Sequence, residues 1–128
     1  MEVPPNGPRS INVDRHHELR DRTKAFALRV IRMSDSLPRM RSGNVIGNQV
    51  LRSATGMAAN YRAAGRSRSK AEFVAKIGVV IEEADETVFW LEMLRDGGIV
   101  KPTKLDSLLD EANQLLAIFT ASRRTAKS

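Results

Sequence analysis

The sequence predicts an all-α protein folded as an antiparallel, up-down-up-down four-helix bundle. Three observations carry that expectation. Apolar residues recur every three or four positions in four separate stretches, the spacing that lines one side of an α-helix. Turn-forming residues separate those stretches and nowhere mark a period-two pattern, so no strand signal competes. Loops of only a few residues then join long helices, which forces neighbours to run antiparallel. A pair of helical hairpins, or a bundle closed only on oligomerisation, would use the same helices.

Residues 1–13 contain Pro4, Pro5, Gly7 and Pro8 without apolar periodicity and are expected to form a flexible N-terminal arm. The bundle is expected over 14–124, with helices at about 15–36, 44–64, 70–96 and 104–122 and a basic tail at 125–128. Asp14 is a plausible cap for the first helix, whose stripe is Leu19, Thr23, Phe26, Val30, Met33 and Leu37. Pro38 pushes Leu37 out of the α region and ends it. The second helix is built from small residues, among them Gly47, Ala54, Gly56, Ala58, Ala59, Ala63 and Ala64. Glycine inside a helix costs ~1 kcal/mol relative to alanine, so close approach of a neighbouring helix must compensate. Gly65 would cap it.

The third helix opens on the capping box Ser69-Lys70-Ala71-Glu72 and stops at Gly97-Gly98. Its seam, Phe73, Ile77, Val80, Ala84, Thr87, Leu91 and Leu94, steps alternately by four and three and is the clearest in the chain. The fourth follows Pro102 with a box-like Thr103-Lys104-Leu105-Asp106. Leu105, Leu108, Leu109, Ala112, Leu115, Leu116 and Phe119 form its apolar face.

With 128 residues the chain can bury roughly two-thirds of its unfolded surface as one domain. It has no cysteine, which removes disulfides and thiol chemistry. The N-terminus lacks the pattern of a signal peptide and no apolar run approaches the ~20 residues that span a bilayer, so a soluble, cytoplasmic protein with no membrane partner is expected. The net charge of +6 is unevenly spread. Residues 44–71 hold Arg52, Arg62, Arg66, Arg68 and Lys70 and no acid; residues 72–101 hold seven acids against three bases. Such asymmetry serves pairing between helices or subunits as readily as a nucleic-acid surface.

No motif builds an active site. The only histidines, His16 and His17, are adjacent at the start of the first helix. Glu82 and Glu86 share a helix face, but no other helix offers a matching carboxylate or a Glu-x-x-His pair for a metal centre. No serine sits in a strand-turn-helix elbow. Gly43-Asn44-Val45-Ile46-Gly47 lacks the lysine of a phosphate loop and reads as tight helix packing. No enzyme activity, metal or cofactor is expected. The candidate nucleic-acid contacts are Arg52, Arg62, Arg66, Arg68 and Lys70, most of them at the turn between the second and third helices. Without interleaved aromatics, base stacking has no support there. Val88, Phe89 and Trp90, with Val79, Val80, Ile81 and Leu91, make the third helix apolar over more than one side, and Tyr61, Val88, Phe89 and Trp90 are candidates for packing or an oligomer interface.

Asn60-Tyr61-Arg62, Ser69-Lys70-Ala71-Glu72-Phe73, Lys76-Ile77-Gly78 and above all Glu83-Ala84-Asp85-Glu86-Thr87-Val88-Phe89-Trp90-Leu91 resemble the bacterial four-helix-bundle family that includes proteins encoded by intervening sequences within 23S ribosomal RNA genes. The likeness runs from about Phe26 to Val100 and extends to accessory proteins of diversity-generating retroelements. It implies a small up-down bundle, commonly a homopentamer, with no enzymatic activity or cofactor; the retroelement relatives imply a basic barrel that binds nucleic acid and a reverse transcriptase. One departure is Ala63, where the family commonly has Glu, which would leave Arg66 or Arg68 freer here. The expected function is that of a non-enzymatic, homo-oligomeric scaffold or adaptor; the alternative is an accessory protein that binds RNA or DNA through the basic turn.

Overall fold

The structure, a computed structural model, describes residues 8–128, with side chains from residue 14 onward. Residues 1–7 of the arm expected over 1–13 lie outside the described residues. Four helices follow one another: α1 (Pro8–Asp35), α2 (Arg41–Ala64), α3 (Lys70–Asp96) and α4 (Pro102–Lys127). α2 packs on α3, α3 on α4, α1 on α2 and, least extensively, α1 on α4, which is the circular order of an up-down bundle. The starts of α1 and α3 therefore share one end with the finishes of α2 and α4.

The predicted stripes are the core. Leu19, Thr23, Phe26 and Val30 of α1 are buried, as are Ile77, Val80, Ala84, Thr87, Leu91 and Leu94 of α3 and Leu105, Leu115 and Phe119 of α4. α2 contributes Val50, Ala54, Met57 and Tyr61. Two buried hydroxyls cross from α2 to α3: Ser53 Oγ and Thr87 Oγ1 lie 2.9 Å apart, each also within reach of a carbonyl of its own helix, Val50 O or Glu83 O. One hydroxyl proton bridges the pair and the other goes to the backbone, so neither group is left unpaired.

Close approach is what the glycines of α2 provide. A Cβ on Gly47 would sit 2.7 Å from Leu37 Cδ1, and one on Gly56 would sit 2.6 Å from Glu83 Oε2. Gly65 is the C-cap of α2, as expected, with a φ of −66°, an ordinary helical value. What requires a glycine there is space, because a Cβ would collide with the His16 ring. Gly98, at φ 73°, is the residue that takes the left-handed conformation.

Helix ends depart from the expected ones where proline, not a side-chain cap, starts the helix. α4 begins at Pro102, because proline's fixed φ and missing N–H suit a first helical position, and α1 is already helical at Pro8, the first residue described. Asp14 and Thr103 thus lie inside helices. Ser69 does cap α3, accepting from the Glu72 amide at 3.1 Å. The Glu72 carboxylate turns instead to Lys76, at 3.2 Å. α4 also runs through most of the expected tail, where alanines favour helix and Arg123, Arg124 and Lys127 complement the negative end of its dipole.

Candidate functional site

Two surfaces stand out, one basic and one apolar. Arg62 ends α2, Arg66 and Arg68 occupy the following turn and Lys70 begins α3, all exposed. Arg62, Arg66 and Arg68 form no ion pair among the described residues, while the Lys70 ammonium donates to Ser128 O at 2.9 Å. Arg52 lies almost three turns earlier on α2, and its guanidinium contacts Glu86 at 2.8 Å and Glu83 at 3.6 Å. The structure thus places Arg52 apart from the arginine turn and ties it to α3. Burial and the neighbouring Glu86 hold the Glu83 carboxyl above its usual range, against the pull of Arg52.

The bundle adds residues that the sequence reading did not group with the turn. Residues 16–24 of α1 lie beside the last turns of α2, and between them runs a groove of about 670 Å³. Arg20 and Lys24 line one side with His17, Arg62 and Arg66 line the other, Ala58 and Ala59 form the floor, and Asp21 is the one acid lining it among the described residues. The signal for this was present: positions 17, 20 and 24 share one helical face, and antiparallel pairing puts that face near 62 and 66.

His17 is exposed, but His16 is half-buried, its ring stacked at 4.7 Å on Tyr61. Burial, with His17 and Arg20 nearby, lowers its pKa. Tyr61 is only 3% exposed, sandwiched between His16 and Phe119, whose ring centre is 5.0 Å away. Desolvation pushes its hydroxyl up to about 12, opposed by Arg15. Tyr61 and Val88 are therefore packing residues within the chain.

Phe89 is different. It is 49% exposed, and Val79 and Met93 on the same outward face of α3 are 43% and 39% exposed. The Arg52–Glu86 pair sets the register of α2 against α3. One heptad before Arg52 is Val45, 57% exposed, and one heptad beyond Glu86 is Met93, so the two come level on the same side. Trp90 borders this stripe, partly packed on the core and edge-on to Phe89 at 4.9 Å. Its indole N–H is shielded from solvent with no acceptor among the described residues.

A bidentate pair joins the least intimate helix contact: Arg22 of α1 donates twice to Glu111 of α4, both at 2.7 Å, and also to Gln114 at 2.8 Å. These bonds hold the Glu111 carboxyl below the usual carboxylate range. A folded-state pKa below the unfolded one adds stability that is fully present above the ordinary glutamate range and is lost as pH falls through the folded value. Glu111→Gln should therefore lower stability by on the order of 1 kcal/mol at neutral pH. The gap from the parent chain should close in acid, as thermal midpoints measured against pH will show.

Among the described residues, no group of three or more His, Asp or Glu side chains is placed to hold a metal ion. No helix there is long and apolar enough to cross a membrane.

The 23S rRNA-intervening sequence protein family matches residues 15–121. The chain belongs to that family. A solved relative of the 23S rRNA-intervening sequence proteins is a crystal structure from Bacteroides thetaiotaomicron, described as a protein with unknown function from the S23 ribosomal protein family. It is 26% identical and superimposes with a TM-score of 0.79, over 85% of this chain and 97% of that one. No curated protein matches the chain.

Proposed function

We propose that this member of the 23S rRNA-intervening sequence family is a non-enzymatic scaffold that assembles from copies of itself through the outward face of α3. The observation that carries this reading is the exposed Phe89 and Met93 on the outward face of α3, with Val45 of α2 exposed at the level of Met93. Aromatic residues and methionine are enriched at interfaces between chains, and soluble monomers seldom leave such side chains grouped in water. Opposite charge on neighbouring helices, basic over 44–71 and acidic over 72–101, supports self-complementary contacts. A closed ring of five copies is the assembly implied by the family resemblance.

Phe89→Asp tests it. The variant should sediment as a smaller species than the parent chain while its helical circular dichroism is unchanged. Thr120→Asp, which adds the same charge at an exposed site of α4, should not alter the mass. An identical mass for the parent and Phe89→Asp would remove α3 from the interface.

A second reading is supported by the basic groove: unpaired Arg62 and Arg66 facing Arg20 and Lys24 across a floor of alanines make a track for a phosphate backbone. In this reading the scaffold also binds RNA or DNA, by charge and shape rather than base stacking.

A further inference from the structure

The end of the bundle that carries the basic groove also holds a second cavity, of about 860 Å³, on the α1–α4 side. Its existence follows from residue size. Where α4 passes α1 it presents Ala117, Ala121, Ser122 and Ala126, too small to close the gap between two helices that touch least in this bundle. The inner wall is apolar, made by Leu19, Tyr61, Ala64, Phe73 and Ile118. The rim is cationic or polar, with Arg15, His16 and His17 from α1 and Ser67 and Ser69 from the α2–α3 turn. Among the described residues, no acid lines it.

One polar atom there lacks a partner. Ser67 Oγ is shielded from solvent and hydrogen-bonds to nothing among the described residues, although Ser67 lines the cavity. The volume falls within the range of about 300–1,000 Å³ typical of small-molecule sites, and the pattern is theirs too: apolar walls and a few convergent polar groups.

We propose that this cavity binds a small anionic amphiphile, an alkyl or aromatic body ending in a carboxylate. The body would lie against Tyr61, Phe73 and Ile118. The carboxylate would sit at the rim, near Arg15. Charge decides the class of ligand: a rim with Arg15 and two histidines and no acid favours an anion over a cation of the same chain length.

Calorimetry with dodecanoate and dodecylamine, both below their micellar concentrations, tests the proposal on the full-length chain. Dodecanoate should bind at one site per chain, and dodecylamine should bind at least about tenfold more weakly. Ala121→Phe, which fills the cavity from α4, should abolish dodecanoate binding. Arg15→Glu, on the exposed rim, should weaken it while leaving the helical signal unchanged, so the test survives even if the filled variant misfolds. Phe89→Asp should bind normally, which separates this site from the proposed interface. Equal binding of amine and acid, or binding untouched by both Ala121→Phe and Arg15→Glu, would overturn the proposal. So would binding that appears only after residues 1–7 are deleted, or a change of oligomeric mass in Ala121→Phe without ligand binding to the parent, since the occupant would then be the chain's own start or a second copy.

Discussion

Phe119→Ala should destabilise the protein by about 3–5 kcal/mol, a large share of the ~5–15 kcal/mol that holds a typical domain together. Phe119 is fully buried on α4 and its ring meets Tyr61 of α2, which in turn stacks on His16 of α1. Truncation would leave a void bounded by helices that cannot all move inward, because each is also fixed by its own stripe. The Tyr61 ring would lose its partner on one side. For a chain of this size the thermal midpoint should fall by on the order of 10–20 °C. Thermal and urea unfolding will check it. A loss below ~1 kcal/mol would mean that the basic end of the bundle is not packed as described.

Replacing Arg20, Arg62 and Arg66 together by alanine should have the largest effect on nucleic-acid affinity. Each cation that meets a phosphate releases counterions, so the slope of log affinity against log salt reports how many contacts are made, at roughly 0.7 per contact on a single strand. Loss of three contacts should reduce that slope by about 2 and lower the affinity for single-stranded RNA at moderate salt by at least tenfold. Arg52→Ala is the informative control. Its guanidinium already pairs with Glu83 and Glu86, so its removal should leave the salt slope nearly intact. Filter binding or fluorescence anisotropy across a salt series reads both. An unchanged slope in the triple variant would remove the groove as the binding surface.

Much of the architecture is legible in the sequence because burial in a helix has a period, and the stripes through Leu19, Ile77 and Leu105 keep to it. Thr23 and Thr87 could be placed inside by their spacing despite their hydroxyls, and both are fully buried. The small residues of α2 likewise announced close neighbours, which Gly47 and Gly56 have. Helix starts were harder. Side-chain caps point to Asp14 and Thr103, whereas α1 is already helical before Asp14 and Pro102 opens α4 with backbone geometry alone.

The candidate sites depend on which side chains meet across helices, and a linear charge count does not carry that. Arg52 looks like part of a basic segment until Glu83 and Glu86 come alongside it on α3. Arg20 and Lys24 look like ordinary surface residues of α1 until α2 brings Arg62 and Arg66 opposite. Gly65 is the cap it looks like, but the room it also leaves for His16 is a contact between residues far apart in the chain. Phe89 and Trp90 are neighbours in sequence with different fates, one half in water and one partly packed, because a step of one residue turns a helix by ~100°.

The central claim is that the outward face of α3 is covered by other copies of the chain. Light scattering of the unmodified protein, followed over a dilution series from micromolar concentration, measures this most directly. The expected result is a discrete multiple of the 14.2 kDa chain mass that persists until dilution drives dissociation. A mass of 14.2 kDa at every concentration, with Phe89 and Met93 left in water, would contradict it.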